Sequence, residues 1–188
     1  MNLKKLFILL AILNLGISAY CQSDINYRHK SLIKTLQKSG VNNIDNVKEL
    51  SVADSILKDN TVSGKFYSIT QELNSPYKYI YIGRVNSCRA GGCSISSGSL
   101  SDASSEYFDY FILFDQDISV KQVKVFNYAA THGQEVTAKG WLKQFIGYNG
   151  EVDLKVDKNI DAISGATISV YAITEDVVNK TALLQKVF

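Results

Sequence analysis

Four stretches in the middle of the chain carry closely spaced apolar and aromatic positions between turn-forming residues. They are GKFYSITQ at 64–71, YKYIYIGRVN at 77–86, EYFDYFILFD at 106–115 and VKQVKVFNY at 120–128. β-Branched and aromatic side chains suit a pleated surface packed on at least one side, so the pattern predicts consecutive strands of an antiparallel sheet. FDQDIS, 114–119, is the expected hairpin turn between the third and fourth. The spacing changes on either side of these strands. In YRHKSLIKTLQKSG, Leu32, Ile33 and Leu36 fall at helical intervals and Gly40 is a stop signal, which predicts a helix of about three turns. Near the C-terminus Ile173, Val177, Thr181 and Leu184 recur every three to four residues, the period of an amphipathic helix. Glu175 and Asp176 precede Lys180 and Lys186 there, an order that suits the helix dipole.

Three further segments complete the pattern. VKELSVADSILKDN fits a short helix or a strand, and its periodicity does not decide between them. GQEVTAKGWLKQFIG predicts a loop entering a short helix around Trp141 to Phe145, and EVDLKV at 151–156 predicts a short strand. The expected fold class is α+β: an antiparallel sheet with flanking helices, and a C-terminal helix following a Ser-Gly-Ala-Thr loop.

The first residues follow another logic. Lys4 and Lys5 precede an almost unbroken apolar run from Leu6 to Ile17, with the small residues Ser18 and Ala19 after it. The run is shorter than the ~20 residues a membrane-spanning helix needs, so residues 1–21 read as a secretory signal peptide and the protein as exported, periplasmic or on the outer face of the membrane. Cleavage is expected after Cys21, with Ala19 at the −3 position, or after Ala19 itself. A lipidated Cys21 and an uncleaved N-terminal anchor are the alternatives; Tyr20 fits poorly where a lipoprotein site wants a small residue. An N-terminal helical segment, 22–61, then precedes the main domain, 62–188.

Charge and cysteine content change meaning once the leader is set aside. The 188-residue chain holds 20 Lys+Arg and 18 Asp+Glu, but two of those lysines lie in the leader, so the remainder is formally neutral. No basic stripe suggests a nucleic-acid partner. Of three cysteines, Cys88 and Cys93 remain, and an even pair in an exported chain points to a disulfide. They sit in SCRAGGCSISSGSLSDASSE, a Ser/Gly-rich stretch too long to be a mere connection. The pair reads either as a staple for that loop or as a redox-active disulfide, with Arg89 lowering the pKa of the Cys88 thiol. His29 and His132 are far apart in the chain, and a metal site is not expected.

Candidate chemistry concentrates in DAISGATIS, 161–169, directly before the C-terminal helix. Thr167 falls in the first helical turn, where backbone amides lack partners and carry partial positive charge, a setting that favours a phosphate. Gly165 and Ala166 keep the approach free of bulk, Ser164 offers a second hydroxyl and Asp161 a carboxylate. The plain alternative makes Ser164 or Thr167 an N-cap worth about 1 kcal/mol.

Asp161-x-x-Ser164-Gly165-Ala166-Thr167 resembles the D-x-x-[ST]-G-A-[TS] signature of the FMN-binding domain family, which includes flavin subunits of the Rnf and sodium-pumping NADH:quinone oxidoreductase complexes. THGQEV and GWLKQFIG resemble the glycine loop and the W-x-x-Q-F helix that precede the signature in many members, and the resemblance runs from about Val62 to the C-terminus. It implies FMN esterified through its phosphate to Thr167 by an exported flavin transferase, which uses FAD as donor and needs Mg only during attachment. It also implies contacts from Asp161, Ser164, Gly165, Ala166 and Gly133, with His132 a candidate to face the ring. Many members carry Glu or Arg-Glu just before the glycine loop, where this chain has Ala129 and Ala130.

The implied role is an electron carrier between a membrane donor and an extracytoplasmic acceptor, a component rather than a stand-alone catalyst. Trp141 and the tyrosines are available to stack near the ring. The competing expectations are a non-redox binding or structural module that kept the fold, and a thiol-disulfide protein using Cys88 and Cys93.

Overall fold

The computed structural model describes residues 24–53, 62–70, 74–87 and 106–188. The leader, Cys88 and Cys93 lie outside the described residues, as does nearly all of the serine-rich stretch. Five strands form one antiparallel sheet in chain order: β1 (Val47–Glu49), β2 (Gly64–Ile69), β3 (Tyr79–Asn86), β4 (Tyr107–Phe114) and β5 (Val120–Tyr128). The four strands expected from the pattern are present. FDQDIS is their tight turn: the Asp115 carboxylate accepts from the amides of Asp117 and Ser119 at 3.0 and 2.9 Å.

Among the described residues three α-helices flank the sheet: α1 (Lys30–Lys38), α2 (Lys139–Leu142) and α3 (Thr167–Gln185). Pleating sends alternate side chains of β4 to opposite faces. Phe108, Tyr110, Ile112 and Phe114 join Val170, Ile173 and Val177 of α3 in the larger core. Phe111 and Leu113, with Ile80 and Ile82 of β3, pack against Leu32 and Leu36 of α1. Because both faces of β3 and β4 are covered, their sequences are nearly continuous apolar runs and not a polar-apolar alternation. Each such buried side chain contributes roughly 1.5–3 kcal/mol. The N-terminal segment therefore supplies both a strand of the sheet and the helix that seals one of its faces.

Inside this double core the Tyr81 hydroxyl is buried without a hydrogen-bond partner among the described residues, while the charged groups are matched. Arg84 of β3 and Asp109 of β4 are paired in register and joined by two hydrogen bonds, 2.6 and 3.1 Å, with Asn127 Nδ2 donating to the same carboxylate at 2.8 Å. Burial opposes the charge on Arg84, but Asp109 outweighs it and raises the guanidinium pKa. Beneath α3, Tyr110 donates to Asp176 at 2.5 Å, and Lys180 meets the other oxygen of that carboxylate at 2.9 Å. Burial first, then the Asp176 charge, raises the Tyr110 pKa far above the usual phenol range. The charge order noted along α3 is thus an i,i+4 ion pair within the core.

The α1 helix begins on an acceptor that sequence rules do not favour. His29 is its N-cap, and the imidazole Nδ1 accepts from the Ser31 amide at 3.2 Å while the ring stacks on Phe126 with centroids 4.7 Å apart.

EVDLKV forms no strand; only Val156 makes a single bridge, to Ile160. The alternation holds only in its second half: Leu154 and Val156 are half-buried against the core beside exposed Asp153 and Lys155, whereas Val152 is exposed. The segment closes on itself instead of on the sheet. The Asn159 side chain accepts from the Lys155 amide at 2.7 Å and donates to the Asp153 carbonyl at 2.8 Å.

Candidate functional site

The candidate residues converge where α3 begins. Its N-cap is Ala166, whose side chain makes no capping bond, and Thr167 is the first helical residue. Neither Ser164 nor Thr167 serves as the cap. The Val170 amide is the first to bond back into the helix, to the Ala166 carbonyl at 2.9 Å, so the Thr167, Ile168 and Ser169 amides precede that bond. Thr167 is exposed and its hydroxyl has no hydrogen-bond partner among the described residues. Ser164 and Gly165 are exposed as well, and a Cβ added at Gly165, where φ is +81°, would meet nothing within 4 Å. A nucleophilic hydroxyl thus stands in open space over unpaired amides.

Two side chains of one short element hold the loop before it. Trp141 Nε1 donates to the Asp161 carbonyl at 2.8 Å, and the Gln144 side-chain oxygen accepts from the Asp161 amide at 2.8 Å. Gln144 also donates to the Trp141 carbonyl at 3.1 Å, while Phe145 is fully buried. The W-x-x-Q-F pattern therefore has a mechanical meaning: the aromatic anchors in the core, and Trp141 and Gln144 grip the Asp161 backbone from both sides. The element is α2 followed by a single 3-10 turn, Lys143–Phe145. The Asp161 carboxylate is left exposed and without a partner among the described residues.

The glycine loop packs on the same helix end. Gly133 is buried with φ +85°, and a Cβ there would lie 2.6 Å from Ser169 Oγ and 3.4 Å from the Ala166 Cα. Only glycine permits this approach. Tyr128, the last residue of β5, donates to the His132 carbonyl and lies 3.3 Å from Ser169 Oγ. Ser87, just past β3, meets Ser169 Oγ at 2.6 Å. His132 contributes its backbone to this contact while its side chain is exposed. Where Ala129 and Ala130 bring no charge, a carboxylate arrives from the residue before β4: Glu106 accepts from both the Thr131 amide, at 2.9 Å, and the Thr131 hydroxyl.

The structure thus brings Asp161, Ser164, Gly165, Ala166, Thr167, His132 and Gly133 to one end of the fold. It adds Ser87, Glu106, Tyr128 and Ser169, for which the linear sequence carries no signal, since strand register and helix placement unite them. Tyr171 was within reach of sequence reasoning. It lies four residues after Thr167, on the same helix face, and is 52% exposed.

Residues 106–181 match the family model described as FMN-binding domain. A comparison with curated proteins gave no match. The matched region starts at Glu106 and ends within α3, so it contains the glycine loop, the α2 brace and the Asp161–Thr167 segment together. Residues 106–181 therefore belong to the FMN-binding domain family.

Proposed function

We propose that the protein carries FMN as a phosphoester on Thr167 and acts outside the cytoplasm as an electron carrier. The observation that carries this reading is the Thr167 hydroxyl itself, exposed and unbonded at the first position of α3, with the capping place taken by Ala166. A hydroxyl used only to start the helix would be bonded to an amide of the first turn.

Attachment from FAD would form one bond, Thr167 Oγ to the FMN phosphorus, and break the pyrophosphate link so that AMP leaves with the oxygen. The hydroxyl proton would pass to the flavin transferase or to solvent, with Mg required only in that step. The chain's own part is to present the nucleophile. Trp141 and Gln144 fix the Asp161 loop, Gly133 and Ser169 seat the glycine loop, and the amides of the first turn stabilise the phosphate's negative charge. When bound, the isoalloxazine supplies the redox chemistry. Tyr171 offers an apolar face one turn below the ester, a place for the ring to lie. A permanent link suits an exported protein, and a membrane donor with an extracytoplasmic acceptor remains the role we assign.

The test is co-expression with an exported flavin transferase, followed by a denaturing gel read by flavin fluorescence. Fluorescent bands are expected for the wild type and Thr167→Ser, and none for Thr167→Ala. A fluorescent Thr167→Ala band, or a dark wild type beside a labelled control domain, would overturn the reading.

A further inference from the structure

A groove of about 470 Å³ lies away from the Thr167 site and contains none of its residues. Five lysines line it and no carboxylate does: Lys38 at the end of α1, Lys121 and Lys124 on β5, Lys139 on α2 and Lys143 just after it. Lys121 is held by Asp115 at 3.6 Å, but the other four have no ion pair among the described residues. In a chain whose charges nearly balance, this is a local excess of one sign. Its floor is apolar, including Val123, Val125 and Ile146, the last 50% exposed.

The groove runs along β5 between α1 and α2, past Val120, whose amide and carbonyl are already bonded to the Tyr148 carbonyl and the Gly147 amide. β5 is the outermost strand, and the lining takes side chains of both pleat parities, Gln122 and Lys124 from one and Val123 and Val125 from the other. A channel touched by both parities runs along the strand's edge. We infer that this edge is a docking site for an extended acidic segment of a partner protein, whose carboxylates meet the lysines while its apolar side chains enter the floor. Concavity favours a chain segment over a membrane surface, which would require a flat or convex basic patch.

Placement gives this site a use. The same short element that lines the groove with Lys139 and Lys143 grips Asp161 through Trp141 and Gln144. A partner seated here would lie about one helix diameter, ~10 Å, from the loop that leads to Thr167. The docking inference does not depend on flavin being attached, and its test needs none.

The experiment is fluorescence anisotropy of a labelled peptide of alternating glutamate and valine, titrated with the unflavinylated protein at low and physiological ionic strength. Binding is expected, weakening as salt rises. The exposed pair Lys139→Glu/Lys143→Glu should bind about tenfold more weakly, given typical rim-charge contributions. The control Lys158→Glu/Lys186→Glu, on other surfaces, should match the wild type. Amide shifts on peptide addition should centre on Lys121 to Val125. Equal loss in both double variants, or absence of binding by the wild type, would overturn the proposal. So would lysine-dependent binding to phosphatidylglycerol vesicles without binding of the peptide.

Discussion

Trp141 Nε1 and the Asp161 carbonyl oxygen are 2.8 Å apart, and this bond ties the only tryptophan of the chain to the start of the Asp161–Thr167 segment. With Gln144 on the adjacent amide, the loop is gripped through its backbone, leaving the Asp161 carboxylate free. Trp141→Phe keeps an aromatic ring against Phe145 and removes the donor. Losing one hydrogen bond at this exposed position should cost about 0.5–1.5 kcal/mol in urea unfolding. Flavin attachment by the transferase should slow several-fold in initial rate, because the nucleophile's loop loses its brace. Unchanged attachment with reduced stability would make the contact purely structural.

Gly133 and Ser169 make a second, steric prediction. Alanine at 133 must accept a left-handed φ of +85° and a Cβ 2.6 Å from Ser169 Oγ. Gly133→Ala should destabilise by about 1–3 kcal/mol. In a Ser169→Ala background the clash is relieved, and the cost should fall by about 1 kcal/mol in a double-mutant cycle. Additive effects would show that the loop does not rest on Ser169.

Tyr171 should report on the attached cofactor. It is half-exposed and follows Thr167 by one helical turn. In flavinylated protein, Tyr171→Ala should raise flavin fluorescence several-fold by removing a stacked electron-rich ring, while the unfolding midpoint changes by no more than about 0.5 kcal/mol, as for surface sites generally. Equal fluorescence would place the ring elsewhere.

His29 gives α1 a pH dependence. Burial, then the neighbouring Lys30 and Lys124, lowers the imidazole pKa below its ordinary value. The unfolded chain therefore binds the proton more readily, and stability rises with pH in that window. The contribution is complete above the unfolded value of about 6.5 and is lost as pH falls through the lower folded one. Protonation also removes the Nδ1 acceptor that caps the helix. The urea midpoint should drop between pH 7 and pH 5, and His29→Asn, which keeps a capping acceptor without titrating, should flatten that drop. A wild-type midpoint that stays constant would contradict it.

The strands were legible because aromatic and β-branched residues crowd them, and α3 because Ile173, Val177, Thr181 and Leu184 keep one face buried. EVDLKV misled because alternation does not say whether a neighbouring strand is there to pair, and without one Val152 is left exposed. β1 is only three residues long, too short for periodicity to separate it from a helix. The Asp161–Thr167 segment could be read directly since its residues are contiguous. Glu106, Ser87 and Ser169 could not, because strand register and the packing of α3 bring them to the loop from distant positions.

The most direct test of the central claim is peptide mapping of the protein after treatment with flavin transferase and FAD. Trypsin should release residues 159–180, which contain Ser164, Thr167 and Ser169. This peptide is expected to gain the mass of FMN less one water, with fragmentation placing the addition on Thr167. An unmodified peptide beside a labelled control domain, or flavin on Ser164 or Ser169, would contradict it.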